Sequence, residues 1–177
     1  MKSTKSAARY AKALLELAIE KNSLAAVESN VNAIIRAGKE TSDFSIFLNS
    51  PLITGTKKLS ILTTLFSDFE NVTMDFLALV TKNGRESQII AIAHSFNAQL
   101  KDHRGIIPVS IVSARKLEEA TRKKIVAQIQ KTVSGTLELT ESVDESLIGG
   151  FIVRMGDKQI DASVLNQLAR LKQELIK

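Results

Sequence analysis

Histidine is the side chain most often recruited for proton transfer and metal binding near neutral pH, and this 177-residue chain has two, His94 and His103. They lie nine residues apart, with no carboxylate cluster to complete a metal site. That spacing favours surface or helix-end histidines. Asp144 and Glu145 are paired carboxylates, the residue type needed for acid-base catalysis, yet a serine and no histidine stands beside them, so they read as the start of a turn. The glycines of GGFIVRMG (149–156) lack the Gly-Lys-Ser/Thr ending that cradles phosphate, and they do not form a Gly-x-Gly-x-x-Gly turn into a helix. The absence of cysteine excludes a thiolate nucleophile, a disulfide framework and thiolate metal ligation. The expectation is a non-enzyme with no catalytic residue, metal or cofactor.

Composition is that of a globular protein. Apolar residues make up 44% and charged residues 24%, which argues against disorder. No apolar run approaches the ~20 residues needed to cross a bilayer. Ala11–Ile19 is too short for a secretory signal core and carries Glu16. Residues 1–15 hold Lys2, Lys5, Arg9 and Lys12 with no acid, as an organelle presequence would, but the same stretch supplies an amphipathic helix and is read as mature protein. The net charge of +5 is spread evenly: thirteen Lys/Arg against ten Asp/Glu in residues 1–105, eleven against nine in 106–177. The densest basic patch, Arg115-Lys116 with Arg122-Lys123-Lys124, is interrupted by Glu118 and Glu119 and has no interleaved aromatics. It reads as a solvated helix face, with contact to an acidic protein or nucleic acid as the alternative.

With no chemistry to position, the elements must position a surface. Tyr10, Ala13, Leu14 and Leu17 fall at helical spacing, and Ala7, Ala11, Leu15 and Ala18 widen the stripe. A second helix follows Asn22-Ser23, carries Leu24, Val27, Val31, Ile34 and Ile35, and is expected to stop near Gly38. A third runs from Ser42 to about Leu48 and breaks at Ser50-Pro51, since the residue before proline is pushed out of helical geometry. Thr54-Gly55-Thr56 opens a fourth. Asn71 is expected to cap a fifth bearing Phe76, Leu79 and Val80, with Gly84 as a left-handed terminator. The sixth holds Ile89, Ile92, Ala93, Phe96 and Leu100 and ends before Gly105. Six short helices predict an all-α bundle.

From Gly105 the period changes. Ile107, Val109 and Ile111 alternate with Pro108, Ser110 and Val112, a strand whose proline favours an edge or a strand start. Leu117 to about Val133 reads as helix, stopping at Ser134-Gly135, and Leu137, Leu139 and Val143 as a further strand. The densest pattern is DESLIGGFIVRMGDKQIDAS (144–163). Gly149-Gly150 enters a strand in which Phe151, Val153 and Met155 face one way, and Ile152 and Arg154 the other. Gly156-Asp157 turns the chain, Lys158-Gln159-Ile160 returns, and Asp161 or Ser163 caps a last helix starting near Val164. The fold expected is α+β: a six-helix bundle over residues 1–105, then a small α/β domain over 106–177 with a hairpin and terminal helix.

This last segment resembles the C-terminal signature of the delta subunit of bacterial F-type ATP synthases, the family that includes the mitochondrial oligomycin-sensitivity-conferring protein. SAARYAKALLELA (6–18) resembles that family's first helix and KNGR (82–85) the end of its fifth. The resemblance implies a non-catalytic stator on the cytoplasmic face of a bacterial inner membrane. It links the catalytic head to the peripheral stalk during proton-driven ATP synthesis. It also implies two partners: the N-terminal helix of an alpha subunit, held by the bundle, and the C-terminal region of the b subunits, held by the second domain. Contact with the membrane would be only indirect, and no nucleic acid is implied. The groove residues carried over are Tyr10, Ala13 and Leu14 on the first helix and Phe76 and Leu79 on the fifth, flanked by Asp75 and Thr81. Gly149, Gly150, Gly156, Asp161 and Ser163 carry over as structural markers. From residues alone, the stripe on the first helix reads as ordinary bundle core, with a groove for a partner's amphipathic helix as the alternative, and the composition leaves a small basic RNA- or ribosome-binding adaptor as the competing class.

Overall fold

Helices with a single apolar stripe must bury it against one another, and the first hundred residues do so. The computed structural model describes residues 4–130, 135–156 and 158–175, and the chain divides into two compact units, Met1–Leu100 and Lys101–Lys177. The first unit contains α1 (Lys5–Glu20), α2 (Leu24–Glu40), α3 (Ser42–Asn49), α4 (Gly55–Leu65), α5 (Asn71–Lys82), a single 3-10 turn at Glu86–Gln88, and most of α6 (Ile89–His103). Its core gathers Ala7, Ala11 and Leu14 of α1 with Val27 and Val31 of α2, Leu77 and Val80 of α5, and Ile92 and Phe96 of α6.

Local chemistry sets the helix ends. The Thr4 hydroxyl accepts from the Ala7 N–H at 3.2 Å and caps α1. Gly84, at φ 64°, terminates α5 as the sequence predicts: its N–H reaches the Thr81 carbonyl and the Arg85 N–H reaches that of Val80, both at 3.0 Å.

Two expectations at helix ends are corrected. Gly38 does not stop α2, which runs on to Glu40. A Cβ at Gly38 would stand 2.8 Å from Ile90 Cδ1, so the glycine is there to let α6 approach closely. Asn71 is the first residue of α5 rather than its cap, and no local side chain caps that end. The cap comes from α2. With the buried amide of Asn30 oriented so that both its ends are satisfied, its oxygen accepts from the Glu70 N–H at 2.9 Å and the Thr73 hydroxyl at 3.1 Å, while its nitrogen donates to the Ala26 carbonyl at 3.3 Å.

The second unit contains β1 (Ile106–Ser113), α7 (Glu119–Gln130), β2 (Thr136–Val143), β3 (Phe151–Met155), β4 (Lys158–Asp161) and α8 (Val164–Leu175). The sheet order is β2-β1-β3-β4. β1 and β2 run parallel, from Ile106 opposite Thr136 to Ser113 opposite Val143, with α7 as the crossover helix. β3 pairs antiparallel with both β1 and β4. Val109, Ile111 and Val153 of the sheet pack with Ile125 and Ile129 of α7. Pro108 sits in an interior strand, but β3 pairing begins only at Val109, so the proline lies where β1 still has a single neighbour. Residues 131–134, where the seventh helix is expected to end, and Asp157 of the expected turn lie outside the described residues.

Candidate functional site

An α-helix advances about 100° per residue, so residues three and four apart fall on either side of a common line. On α1 this separates the three positions carried over by resemblance. Tyr10 and Ala13 fall on the open side, and Ala13 is exposed. Leu14 falls on the inner side, only 2% exposed in the core, and does not line the cavity that the other two face. Its place is taken by Leu17, on the sequence stripe and seven residues from Tyr10.

That cavity, about 600 Å³, lies between α1 and α5 and is walled by Tyr10, Ala13 and Leu17 on one side and Phe76 and Leu79 on the other. The Tyr10 and Phe76 rings meet edge to face, centroids 6.3 Å apart at 72°. The Asn83 amide donates to the Tyr10 hydroxyl at 3.1 Å, and an Arg85 guanidinium nitrogen donates to Ser6 Oγ at 3.0 Å. Ser6 and Arg9 with Arg85 therefore stand at one end of the groove, while Asp75, ten residues before Arg85 in the sequence and within α5, also borders it. Leu79 remains 50% exposed, large for an aliphatic side chain in the middle of a helix. Four of the five expected groove residues are thus brought together, and Ser6, Arg9, Leu17 and Arg85 join them. Arg85 belongs to the KNGR motif, which signalled a helix end but not a groove wall.

The far side of Leu79 borders a second concavity of about 800 Å³ between α4 and α5. One wall ends in a buried ion pair. Lys58, 3% exposed, donates to the Leu48 carbonyl at 2.9 Å and to Glu86 Oε1 at 2.8 Å, tying α3, α4 and the 3-10 turn together. The hydrogen bond from the Lys58 ammonium holds the Glu86 carboxyl below its ordinary pKa against the opposing effect of burial.

In the second unit the marker residues have structural tasks. Gly150, at φ 81°, admits no side chain, because a Cβ there would lie 2.2 Å from the Ala162 carbonyl oxygen. A Cβ on Gly149 would lie 3.0 Å from Val164 Cγ2, and Gly156 makes its turn at φ 54° in open space. Ser163 Oγ accepts from the Asn166 N–H at 3.3 Å and caps α8, while Asp161 Oδ1 accepts from the Ser163 N–H at 2.9 Å. Beside this frame Ile148, Ile160, Leu165 and Leu168 are between 50% and 74% exposed, an apolar display that a solvated domain does not need.

The residues first weighed for chemistry do not converge. His94 and His103 are exposed. Asp144 accepts from the Ser146 amide and hydroxyl at 3.0 and 2.6 Å, bonds that lower its pKa and form the expected turn. Among the described residues there is no group of three or more His, Cys, Asp or Glu placed to hold a metal ion, and no helix is long and apolar enough to cross a membrane.

A site that is a groove rather than a reaction centre agrees with the company the chain keeps. The family model for the ATP synthase delta (OSCP) subunit matches residues 7–175. The chain is 35% identical over 173 residues to the ATP synthase subunit delta of Cytophaga hutchinsonii, covering 97% of this chain and 94% of that one. It is also 35% identical to the subunit delta of Flavobacterium johnsoniae over 175 residues, 99% of each chain. Among solved structures, a chain of the Toxoplasma gondii mitochondrial ATP synthase hexamer superposes with a TM-score of 0.74 at 27% identity, over 98% of this chain and 99% of that one. These comparisons give no support to an RNA- or ribosome-binding adaptor. With matches that run nearly end to end across both units, the chain belongs to the ATP synthase delta (OSCP) subunit family.

Proposed function

We propose that this chain, a non-catalytic subunit of the peripheral stalk of an F-type ATP synthase, grips the catalytic head by seating the amphipathic N-terminal helix of an alpha subunit between α1 and α5. The observation that carries this reading is the open apolar groove formed by Tyr10, Ala13, Leu17, Phe76 and Leu79. Leu14 supports it from beneath as core. The six helices of residues 1–105 serve as the head-binding bundle, and the domain of residues 106–177 engages the C-terminal region of the b subunits through the exposed apolar residues around α8. A rotary motor must hold its head against the torque of its shaft, and a two-ended adaptor does so without chemistry of its own. Affinity comes from apolar surface buried at about 25 cal/mol per Å², less the cost of ordering the partner helix. The complex places the subunit on the cytoplasmic face of a bacterial inner membrane, a placement supported by the bacterial relatives.

Co-purification tests both ends. Tagged full-length protein should retain alpha and b subunits. Ala13→Asp should lose the alpha subunit and keep b, whereas Leu165→Asp with Leu168→Asp should do the reverse. Loss of both partners from either variant, with the fold intact, would contradict the assignment of separate ends.

A further inference from the structure

The charges along the groove are ordered, and on α1 they run against the helix's own interest. A helix is stabilised by acids in its first turn and bases in its last. α1 has neither; it carries exposed Lys5, Arg9 and Lys12 in its first half and exposed Glu16 and Glu20 in its second. On α5 the order is the opposite, Asp75 first and Lys82 last, followed by Arg85. The two helices run antiparallel along the groove, since Ser6 meets Arg85 while Tyr10 meets Phe76. Opposite sequence orders therefore coincide in space. Arg9 and Arg85 mark one end, Asp75 borders the groove toward the other, and Glu16 and Glu20 continue α1 in that direction. A local arrangement that works against a helix's dipole is expected where a partner makes use of it.

We propose that this charge order fixes the direction of the bound helix: its acidic N-terminal turn lies over Arg9 and Arg85, its basic C-terminal turn lies toward Asp75, and it runs parallel to α1. The inference rests on the groove being the docking site for an amphipathic helix. The direction follows because a helix that obeys its own dipole has acids first and bases last, and only the parallel placement brings both ends against opposite charge. The apolar wall is indifferent to direction, so the rim charges decide it.

The probes are two synthetic amphipathic peptides of one composition and one apolar face, one with acids in the first turn and bases in the last, the other reversed. Each is titrated into the full chain and into the variant Arg9→Glu with Arg85→Glu. Comparing the two peptides across the two proteins cancels the difference in their intrinsic helicity. The reversal should weaken both peptides about tenfold at low ionic strength, since the bases-first peptide meets the same charges by lying end for end, and the loss shrinks as salt is added. A spin label on the acidic end should broaden the amide signals of Ser6 and Arg85 and leave those of Asp75 sharp. Binding of either peptide that does not respond to the reversal, or broadening at Asp75 from its labelled acidic end, would overturn the direction and leave the groove standing. Binding that survives Ala13→Asp in the parent would instead overturn the groove itself, and this inference with it.

Discussion

Tyr10 stands edge-on to Phe76 across the groove, 6.3 Å between ring centroids, while its hydroxyl accepts from Asn83 on the far end of α5. One side chain thus spans the seam between the two helices and forms part of the wall a partner touches. Tyr10→Phe keeps the ring contact and should cost under about 1 kcal/mol. Tyr10→Ala loses the edge-to-face pair as well as wall area, and should lower stability by about 1–3 kcal/mol and weaken head binding. Thermal melting alongside peptide titration separates the two effects; a Tyr10→Ala protein that binds as the parent does would remove Tyr10 from the wall.

Gly150→Val should unfold or strongly destabilise the second unit and leave head binding intact. The position combines φ 81° with a Cβ-to-carbonyl distance of 2.2 Å to Ala162. The left-handed strain alone costs about 1–3 kcal/mol and the clash adds to it. Hydrogen exchange over β3, β4 and α8 reads the outcome, and unchanged protection there would show the glycine pair to be a permissive loop.

Lys58 and Glu86 should make the first unit acid-sensitive. The carboxyl of Glu86 is depressed in the folded state, chiefly by its hydrogen bond from Lys58. The folded state therefore resists protonation more than the unfolded chain does, so this contribution to stability is present above the ordinary carboxylate pKa of 4.5 and is lost as pH falls through the lower folded value. Glu86→Gln should flatten that dependence. Lys58→Met strands the carboxylate and the Leu48 carbonyl and should cost about 2–3 kcal/mol at neutral pH. Urea melts from pH 7 down to pH 3 check both; equal acid slopes for parent and Glu86→Gln would refute the pairing.

Asn30→Ala should destabilise the first unit by about 1–2 kcal/mol, because it uncaps α5 and leaves the Glu70 N–H and the Thr73 hydroxyl without their buried partner. Exchange at the first turn of α5 should quicken before the rest of the helix. Parental exchange rates there would place the cap elsewhere.

The helices and strands were legible because their apolar periods are strong, and Gly84 and Ser163 were legible because a left-handed terminator and a helix cap act within a few residues. What escaped is what distance in sequence conceals. Gly38 looked like a stop because nothing nearby announces Ile90, and Asn71 looked like a cap because Asn30 lies some forty residues away on another helix. Spacing at i, i+3 and i+4 grouped Ala13 with Leu14, yet the 100° step turns one to the cavity and the other to the core. The charged rim was out of reach altogether, since it exists only once α1 and α5 lie antiparallel.

The central claim is that the groove between α1 and α5 binds an amphipathic helix of the head, and Ala13→Asp tests it most directly. Ala13 is exposed and lines the cavity, so an aspartate there should leave the fold unharmed in the free protein. Under a docked apolar helix the same carboxylate is desolvated with only the exposed Arg9 one turn away to offset it, at a cost of several kcal/mol, about a hundredfold or more in affinity. Calorimetric titration of the full chain with a synthetic N-terminal segment of the alpha subunit, alongside helical melting, should show the parent binding and the variant failing to bind at an unchanged melting temperature. Undiminished binding by a folded Ala13→Asp protein would contradict the account.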